Sequence, residues 1–344
     1  MDKLEALLRA AYEKHASDIH LTVGTPPVFR IHGELIKFGD DDLLPTDTEA
    51  MAKSILTDSV WEHLNEKREV DLSHGIAGIS RFRINVYYQR GCISLAIRIV
   101  PTIIPSLEQL DLPNVLKSIA ESTQGLVLVT GPTGSGKSTT LAAMIDYMNK
   151  TMNKHIITLE DPIEYLHSHQ KCIIDQREVG FDTMNFQNGL RACLRQDPDV
   201  ILVGEMRDLE TISTAITAAE TGHLVLGTLH TTDASSTMDR IIDVFPAHQK
   251  GQIRIQLANV LEAIVSQRLF QTTNKQGRAA ATEILINTPA IKNLIRNEKM
   301  HQIPNTMQTA KEQGMHTMTM DIKRLVRQGS ILEEHALPYL KGRG

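Results

Sequence analysis

The segment Gly131-Pro-Thr-Gly-Ser-Gly136-Lys137-Ser138 fits the phosphate-binding pattern G-x-x-x-x-G-K-[ST]. Its glycines let backbone N–H groups turn toward phosphates, and the start of the next helix adds the positive end of its dipole. Lys137 is placed to reach the β- and γ-oxygens, and Ser138 to bind Mg²⁺. An apolar strand precedes the segment and a helix follows, so we predict a site for ATP and Mg²⁺. The predicted nucleotide-contacting residues are Gly131, Thr133, Gly134, Ser135, Gly136, Lys137, Ser138 and Thr139.

A carboxylate ends another apolar run, Asp199-Val-Ile-Leu-Val-Gly-Glu205. The run is typical of a Walker B strand in which a glycine replaces the usual terminal acid and Glu205 supplies the carboxylate. Such a residue lies beside the phosphate-binding loop, at the carboxyl edge of the sheet. Because phosphoryl transfer depends mostly on positioning and charge stabilisation, Glu205 is predicted to orient the attacking water or the Mg²⁺ shell. The alternative is a surface glutamate that ends a strand.

Three carboxylates fall within five residues at a further predicted strand end, in Thr158-Leu-Glu160-Asp161-Pro162-Ile-Glu164. So much negative charge favours a cation, and Mg²⁺ with a bound water is the natural cation of a nucleotide site. We therefore predict roles in catalysis for Glu160 and Glu164, and an Mg²⁺ site that involves Ser138 and Glu160. The alternative is a solvated turn.

Histidines and arginines supply further candidates. His223 and His230 flank a six-residue strand, so alternation places them on opposite faces, and His230 lies at the carboxyl end. His230 is predicted to sense the γ-phosphate, the alternative being a hydrogen-bonded core histidine.

Arg81 and Arg83 share one face of an alternating strand, and with Arg98 they are candidate arginine fingers. The alternative for them is a solvated strand face.

The elements around these residues predict an α/β protein of two domains. Residues 1–100 mix one helix with short β-branched runs, as in a small α+β domain, and prolines mark a linker over 101–114. Residues 115–276 alternate apolar strands with helices, the layout of a RecA-like ATPase core with a parallel sheet. Residues 277–344 predict a helical C-terminal subdomain. The predicted core strands are Leu126 to Thr130, Ile156 to Glu160, Val200 to Gly204 and Leu224 to Thr228.

The amino-acid composition excludes several classes of protein. Of 344 residues, 41% are hydrophobic, which allows a core in each domain, but no apolar run approaches the roughly 18 residues of a membrane span. We therefore expect a soluble cytoplasmic protein. The three cysteines form no C-x-x-C pair, so we expect neither structural zinc nor a disulfide framework. A net charge of −5 argues against a nucleic acid partner, since that affinity comes from clustered Lys and Arg.

Several motifs together resemble the secretion ATPase superfamily, and specifically the PilT family of type IV pilus retraction ATPases. The resemblance spans essentially the whole chain. The matching segments are Gly131 to Thr139, Ile157 to His167, Gln176 to Val179, Leu194 to Asp199, Gly204 to Asp208 and Gly222 to Thr231.

This resemblance implies a PAS-like N-terminal domain, a RecA-like ATPase domain, a homohexameric ring and a nucleotide held between the two domains. It also implies an Asp box at Glu160 to Glu164, a catalytic Glu205, a His box ending at His230, and charge neutralisation by the three arginines. The ring would act on an inner-membrane pilus platform protein at the cytoplasmic face, and would draw pilin subunits out of the fibre. Ala290-Ile-Lys292-Asn-Leu294 resembles the A-I-R-N-L motif of retraction ATPases, with lysine in place of arginine. The tetracysteine zinc motif of the assembly ATPases is missing.

Three other functions stay open at this point. A GTPase is disfavoured because Asn274-Lys275 is followed by Gln276 and Gly277 instead of completing N-K-x-D. An accessory subunit that binds nucleotide without turnover is disfavoured by the intact Lys137 and Glu205. A nucleic-acid translocase is disfavoured by the acidic net charge.

Overall fold

The computed structural model describes residues 3–274 and 277–340. The chain divides into two compact units, Met1–Ile103 and Ile104–Gly344, each with its own β-sheet. The change of unit falls inside the predicted linker, 101–114. The finer division of the second unit into an ATPase core and a C-terminal subdomain stays a prediction.

The N-terminal unit contains a six-stranded antiparallel sheet in the order β3-β2-β1-β6-β5-β4. Helix α1 buries Leu4, Leu7, Leu8 and Ala11, the i, i+3, i+4, i+7 spacing of an amphipathic helix. The PAS-like character predicted for this unit stays a prediction. Its elements are α1 (Lys3–Glu13), β1 (Asp18–Leu21), β2 (Val28–Ile31), β3 (Glu34–Lys37), α2 (Pro45–Lys53), α3 (Asp58–Lys67), β4 (Glu69–Ile76), β5 (Ser80–Gln89) and β6 (Cys92–Ile99).

The second unit contains a seven-stranded sheet in the order β13-β12-β7-β11-β10-β8-β9, in which only the pair β12 and β13 is antiparallel among the described strands. Its elements are α4 (Val115–Ala120), β7 (Gly125–Thr130), α5 (Lys137–Thr151), β8 (His155–Glu160), β9 (Ile173–Glu178), α6 (Phe186–Cys193), β10 (Val200–Val203), α7 (Leu209–Glu220), β11 (Leu224–Leu229), α8 (Ala234–Asp243), α9 (Lys250–Val260), β12 (Leu261–Gln271), β13 (Arg278–Ile286), α10 (Pro289–Arg296), α11 (Ile303–Thr309), α12 (Met318–Arg327) and α13 (Glu333–Leu340). Short 3₁₀ turns lie at Met300–Gln302 and Lys311–Gln313.

The central strands of this sheet are buried on both faces. Every residue of β7, β10 and β11 is buried. Along β7, Leu126 and Leu128 pack into one apolar cluster while Val127 and Val129 pack into another. Helices thus cover both faces, which is why these strands read as continuous apolar runs and not as alternating ones. The predicted parallel α/β core is confirmed.

Helix α5 is the longest helix in the described part of the chain, with 15 residues. It begins after Gly136, whose left-handed backbone (φ +90°) turns the chain from the loop into the helix, and it ends where Met152 becomes extended. Among residues 3–274 and 277–340, no helix combines the length and the apolar character needed to cross a membrane.

The prediction that the chain becomes helical from residue 277 is wrong at its start. Strand β13 (Arg278–Ile286) pairs with β12 across nine residue pairs before the first helix, α10, begins at Pro289. The physical reason is tertiary: the stretch Arg278-Ala-Ala-Ala-Thr has little intrinsic strand preference, but it completes the sheet edge beside β12. From α10 onward the predicted helices are confirmed.

Candidate nucleotide-binding and catalytic site

The sheet brings most of the predicted residues to one edge. Because β7, β8, β10 and β11 are parallel neighbours, their carboxyl ends lie side by side. The phosphate-binding loop follows β7, and Glu160, Glu205 and His230 stand at the ends of the other three strands. Residues 133–139 of this loop line one cavity of about 360 Å³ together with Glu160, Glu205 and His230, whereas Gly131 does not line it.

The loop backbone is packed tightly against β12. Gly131 has φ +143°, and an added Cβ would press on the backbone oxygen of Gln267 and lie 2.5 Å from Ser135 Oγ. At Gly136 a Cβ would lie 2.8 Å from Gln267 Nε2. The hydroxyl of Thr140 donates to Gln267 Oε1 at 2.7 Å, which ties β12 to helix α5. Glycine is therefore required here by close approach as well as by backbone conformation.

The polar groups of the loop suit a polyanion. Lys137 Nζ donates to the backbone oxygens of Gly131 and Pro132, at 2.8 and 3.1 Å. Burial lowers the pKa of Lys137, and the charges of Glu205 and Glu164 act in the opposite direction. Ser135 is buried, and its hydroxyl has no hydrogen-bond partner within the described residues. An unpaired buried donor beside a lysine fits a phosphate ligand.

Glu160 is held by two donors on one oxygen. Its Oε1 accepts from Thr158 Oγ1 at 2.6 Å and from Gln176 Nε2 at 3.0 Å. Burial raises the pKa of Glu160, and these two hydrogen bonds oppose that rise. The side chain therefore has a defined orientation at the wall of the cavity.

Two side chains of the cavity could supply oxygen ligands to a magnesium ion. In residues 3–274 and 277–340, no three His, Cys, Asp or Glu side chains come together as a metal site. Ser138 and Glu160 both line the cavity, and all of their donor atoms are oxygens. Mg²⁺ usually takes one or two protein oxygens and completes its shell with phosphates and water, so this sparse set suits it.

Glu205 has a charged partner and a histidine on the same oxygen. Its Oε1 accepts from His230 Nε2 at 2.8 Å and pairs with the guanidinium of Arg207. Burial acts to raise the pKa of Glu205, but Arg207 and His230 outweigh burial and the pKa is lowered. Glu205 is therefore ionised at neutral pH. No hydrogen bond from the described residues reaches Oε2, which leaves that oxygen able to accept from a water molecule.

The two histidines differ in position, as predicted. His223 precedes β11 and its Nδ1 contacts the backbone oxygen of Ala218 at 3.0 Å, which closes the end of helix α7. His230 follows β11 and contacts Glu205. His230 therefore contacts the predicted catalytic carboxylate. The role of His230 as a γ-phosphate sensor stays a prediction.

The predicted arginine fingers lie in the N-terminal unit. Phe82 is buried while Arg83 is exposed, so the predicted alternation of β5 is confirmed. Arg83 stands opposite Arg98 of β6, and Arg98 Nε pairs with Asp18 at 2.9 Å. Arg81 shares the face of Arg83. Because the phosphate-binding loop belongs to the other unit, action of the three arginines on the nucleotide stays a prediction.

Several residues in and around this site were not predicted from the sequence. Gln176 and Arg207 lie inside motif segments that carried the family resemblance, so a signal for them existed. Gln267 and Arg278 had none, because Gln267 reaches the loop only through the pairing of β12 with β7, and Arg278 reaches the cavity only through the pairing of β13 with β12. Asn274 precedes Lys275 and Gln276, which lie outside the described residues, so the guanine-motif comparison rests on sequence alone.

Comparison with known proteins now identifies the family. The model for "Type II/IV secretion system protein" matches residues 1–337. The chain belongs to this family.

Two relatives and one solved structure are similar to the chain over most of their length. The chain is 47% identical over 336 residues to "Type IV pilus retractation ATPase PilT" of Pseudomonas aeruginosa, covering 98% of this chain and 97% of that protein. It is 48% identical over 310 residues to a "Twitching motility protein" of Neisseria gonorrhoeae, covering 90% and 83%. A crystal structure of the pilus retraction motor PilT with bound ADP superimposes with a TM-score of 0.90 at 48% identity, covering 100% and 98%.

Proposed function

We propose that this chain hydrolyses ATP with Mg²⁺ and powers the retraction of type IV pili. The observation that carries the proposal is the cavity at the carboxyl edge of the sheet, lined by Lys137, Glu160, Glu205 and His230. It occurs in a chain 47% identical, over 98% of its length, to a retraction ATPase. The resemblance to a motor solved with ADP supports a nucleotide as the ligand.

Each residue has a role that its surroundings support. The loop amides, Ser135 and Lys137 bind the phosphates, because they supply donors and positive charge in a partly buried position. Glu205 is ionised, and its Oε2 is open to orient the attacking water. Ser138 and Glu160 would hold Mg²⁺, which would supply positive charge to stabilise the transferring phosphoryl group. His230 keeps Glu205 in place.

We also propose a homohexameric ring that engages an inner-membrane pilus platform protein from the cytoplasmic face. Arg81, Arg83 and Arg98 would neutralise phosphate charge in that assembly. Attachment to the membrane would be peripheral, through the platform protein, and the motor would use neither nucleic acid nor zinc. These statements rest on the relatives' role in pilus retraction and on the acidic net charge of −5.

The substitution Glu205→Gln tests the chemistry. It keeps the shape of the side chain but removes the charge that orients water, so kcat is expected to fall by about 10²- to 10³-fold. Binding of ADP, measured by calorimetry, is expected to persist. The matched control is Glu210→Gln, an exposed glutamate in the first turn of α7, which is expected to keep normal turnover. Unchanged turnover in Glu205→Gln would exclude Glu205 as the water-positioning residue.

The same variant tests the biological role. A host lacking the gene is expected to carry excess surface pili and to lose twitching motility. The wild-type gene should restore both properties, and the Glu205→Gln gene should restore neither. Absent pili in the deletion strain would indicate an assembly motor, and an unchanged strain would refute the role in retraction.

A further inference from the structure

Gln176 lies on β9, at the edge of the seven-stranded sheet. Its Nε2 donates to Glu160 Oε1 at 3.0 Å and to the backbone oxygen of Tyr165 at 2.8 Å. Its Oε1 accepts from the backbone N–H of His167 at 2.8 Å. Both N–H groups and the carbonyl of this one amide therefore form hydrogen bonds. They join β9 to the carboxylate of Glu160 and to the loop that follows Glu160.

The loop is also tied to the phosphate-binding helix. The hydroxyl of Tyr165 lies 2.9 Å from Thr139 Oγ1 in the first turn of α5. Thr158 Oγ1 donates to the same oxygen of Glu160 that Gln176 contacts. A continuous series of hydrogen bonds thus runs from α5 through the loop to Gln176 and Glu160. Gln176 is the member of this series that contacts both the loop and the carboxylate.

Gln176 does not belong to the cavity wall, whereas Glu160, Tyr165 and His167 do. Its contribution must therefore pass through other residues. A carboxylate rotates freely about its last side-chain bond, and fixing Oε1 with two donors fixes the direction of Oε2 as well. Errors of about 1 Å in such groups cost about 10²-fold in rate.

We propose that Gln176 is a positioning residue for hydrolysis, which orients Glu160 and anchors residues 161–167 without contacting the nucleotide. This inference rests on the proposed ATPase function. A purely structural role would also use the hydrogen bond to His167, so the test must separate that bond from the one to Glu160.

Two substitutions of Gln176 separate its hydrogen bond with His167 from its hydrogen bond with Glu160. Gln176→Leu keeps the approximate volume and removes all three hydrogen bonds. Gln176→Glu keeps an acceptor for the His167 N–H but replaces the amide donor beside Glu160 with a carboxylate oxygen. We expect kcat to fall about 10- to 100-fold in both variants, the range seen when a second layer of support is removed from a site. Rescue by Gln176→Glu would overturn the proposal, since it would show that the bond to His167 suffices.

A double-mutant cycle with Glu160→Gln tests whether Gln176 acts through Glu160. If it does, adding Gln176→Leu to Glu160→Gln lowers kcat by less than about 3-fold further, because interacting residues are non-additive. Losses that multiply independently would overturn the proposal. The matched control is Gln271→Leu, an exposed glutamine at the end of β12, which is expected to behave as wild type.

Hydrogen exchange gives a readout apart from turnover. In wild type and in Gln176→Glu, the His167 amide is expected to be protected, and in Gln176→Leu its exchange is expected to rise at least about 10-fold. Unchanged protection in Gln176→Leu would refute the anchoring role even if the wild-type protein showed no ATPase activity. An inactive wild-type protein would refute the proposed ATPase function, but the hydrogen-exchange test of anchoring by Gln176 would still be valid.

Discussion

Replacing Gly131 with alanine is expected to destabilise the second unit more than the same change at Gly134. Both glycines belong to the phosphate-binding loop and both have positive φ, +143° and +77°. They differ in surroundings. A Cβ on Gly131 would press on the backbone oxygen of Gln267 and on Ser135 Oγ, whereas a Cβ on Gly134 meets nothing within 4 Å.

The magnitudes follow from these two environments. At Gly134 only the backbone strain of a left-handed residue applies, about 1–2 kcal/mol. At Gly131 the backbone lies in a region that only glycine occupies readily, which costs about 1–3 kcal/mol. Overpacking against β12 adds about 1–3 kcal/mol, because a backbone oxygen cannot rotate away as a side chain can. Gly131→Ala should therefore lose about 2–6 kcal/mol in free energy of unfolding.

The assay is urea unfolding without nucleotide, followed by far-ultraviolet circular dichroism. The chain has a single tryptophan, Trp61 of α3, so its fluorescence follows the N-terminal unit and serves as an internal reference. If Gly131→Ala loses no more stability than Gly134→Ala, the close packing of the loop against Gln267 is refuted.

Two further predictions concern stability. His155 Nε2 lies 3.0 Å from Asp175 Oδ2; burial lowers the pKa of His155, but Asp175 and the backbone oxygen of Asp197 outweigh burial and raise it. The pair of protonated His155 with Asp175 therefore stabilises the fold below the ordinary histidine pKa of 6.5, and this stabilisation is lost as the pH rises through the pKa of His155 in the folded protein. In urea unfolding, Asp175→Asn should therefore lower the free energy of unfolding more at pH 6 than at pH 9. Asp208 caps α7 by accepting from the Thr211 backbone N–H at 2.8 Å, so Asp208→Ala should cost about 1 kcal/mol and Asp208→Asn much less in the same measurement; equal losses in both variants would contradict the capping role.

Much of the site was predictable because its signals are local. The loop 131–138 has a spacing of glycines and lysine that only a strand, a turn and a helix in succession can use. The unbroken apolar runs of β7, β10 and β11 indicated strands covered on both faces. Once parallel neighbours are assumed, Glu160, Glu205 and His230 must share an edge.

Other features depend on which strands become neighbours. Strand β13 looked helical because its alanines carry no strand signal, and only pairing with β12 decides its conformation. The pairing of β12 with β7 explains why Gln267 could not be found from sequence, because it joins residues far apart in the chain. Thr130 and Ser266, for example, share a hydrogen bond of 2.9 Å across 136 positions.

The sequence by itself determined the chemistry of this protein, namely the loop for phosphates, the acidic strand ends and the alternating helices and strands. These follow from contacts between residues a few positions apart, whose geometry any fold must respect. The tertiary structure alone decided that Gln267 supports the loop, that His230 contacts Glu205, and that Gln176 holds Glu160. These contacts join separate strands, and strand order is set by the burial of the whole sheet and not by any local pattern.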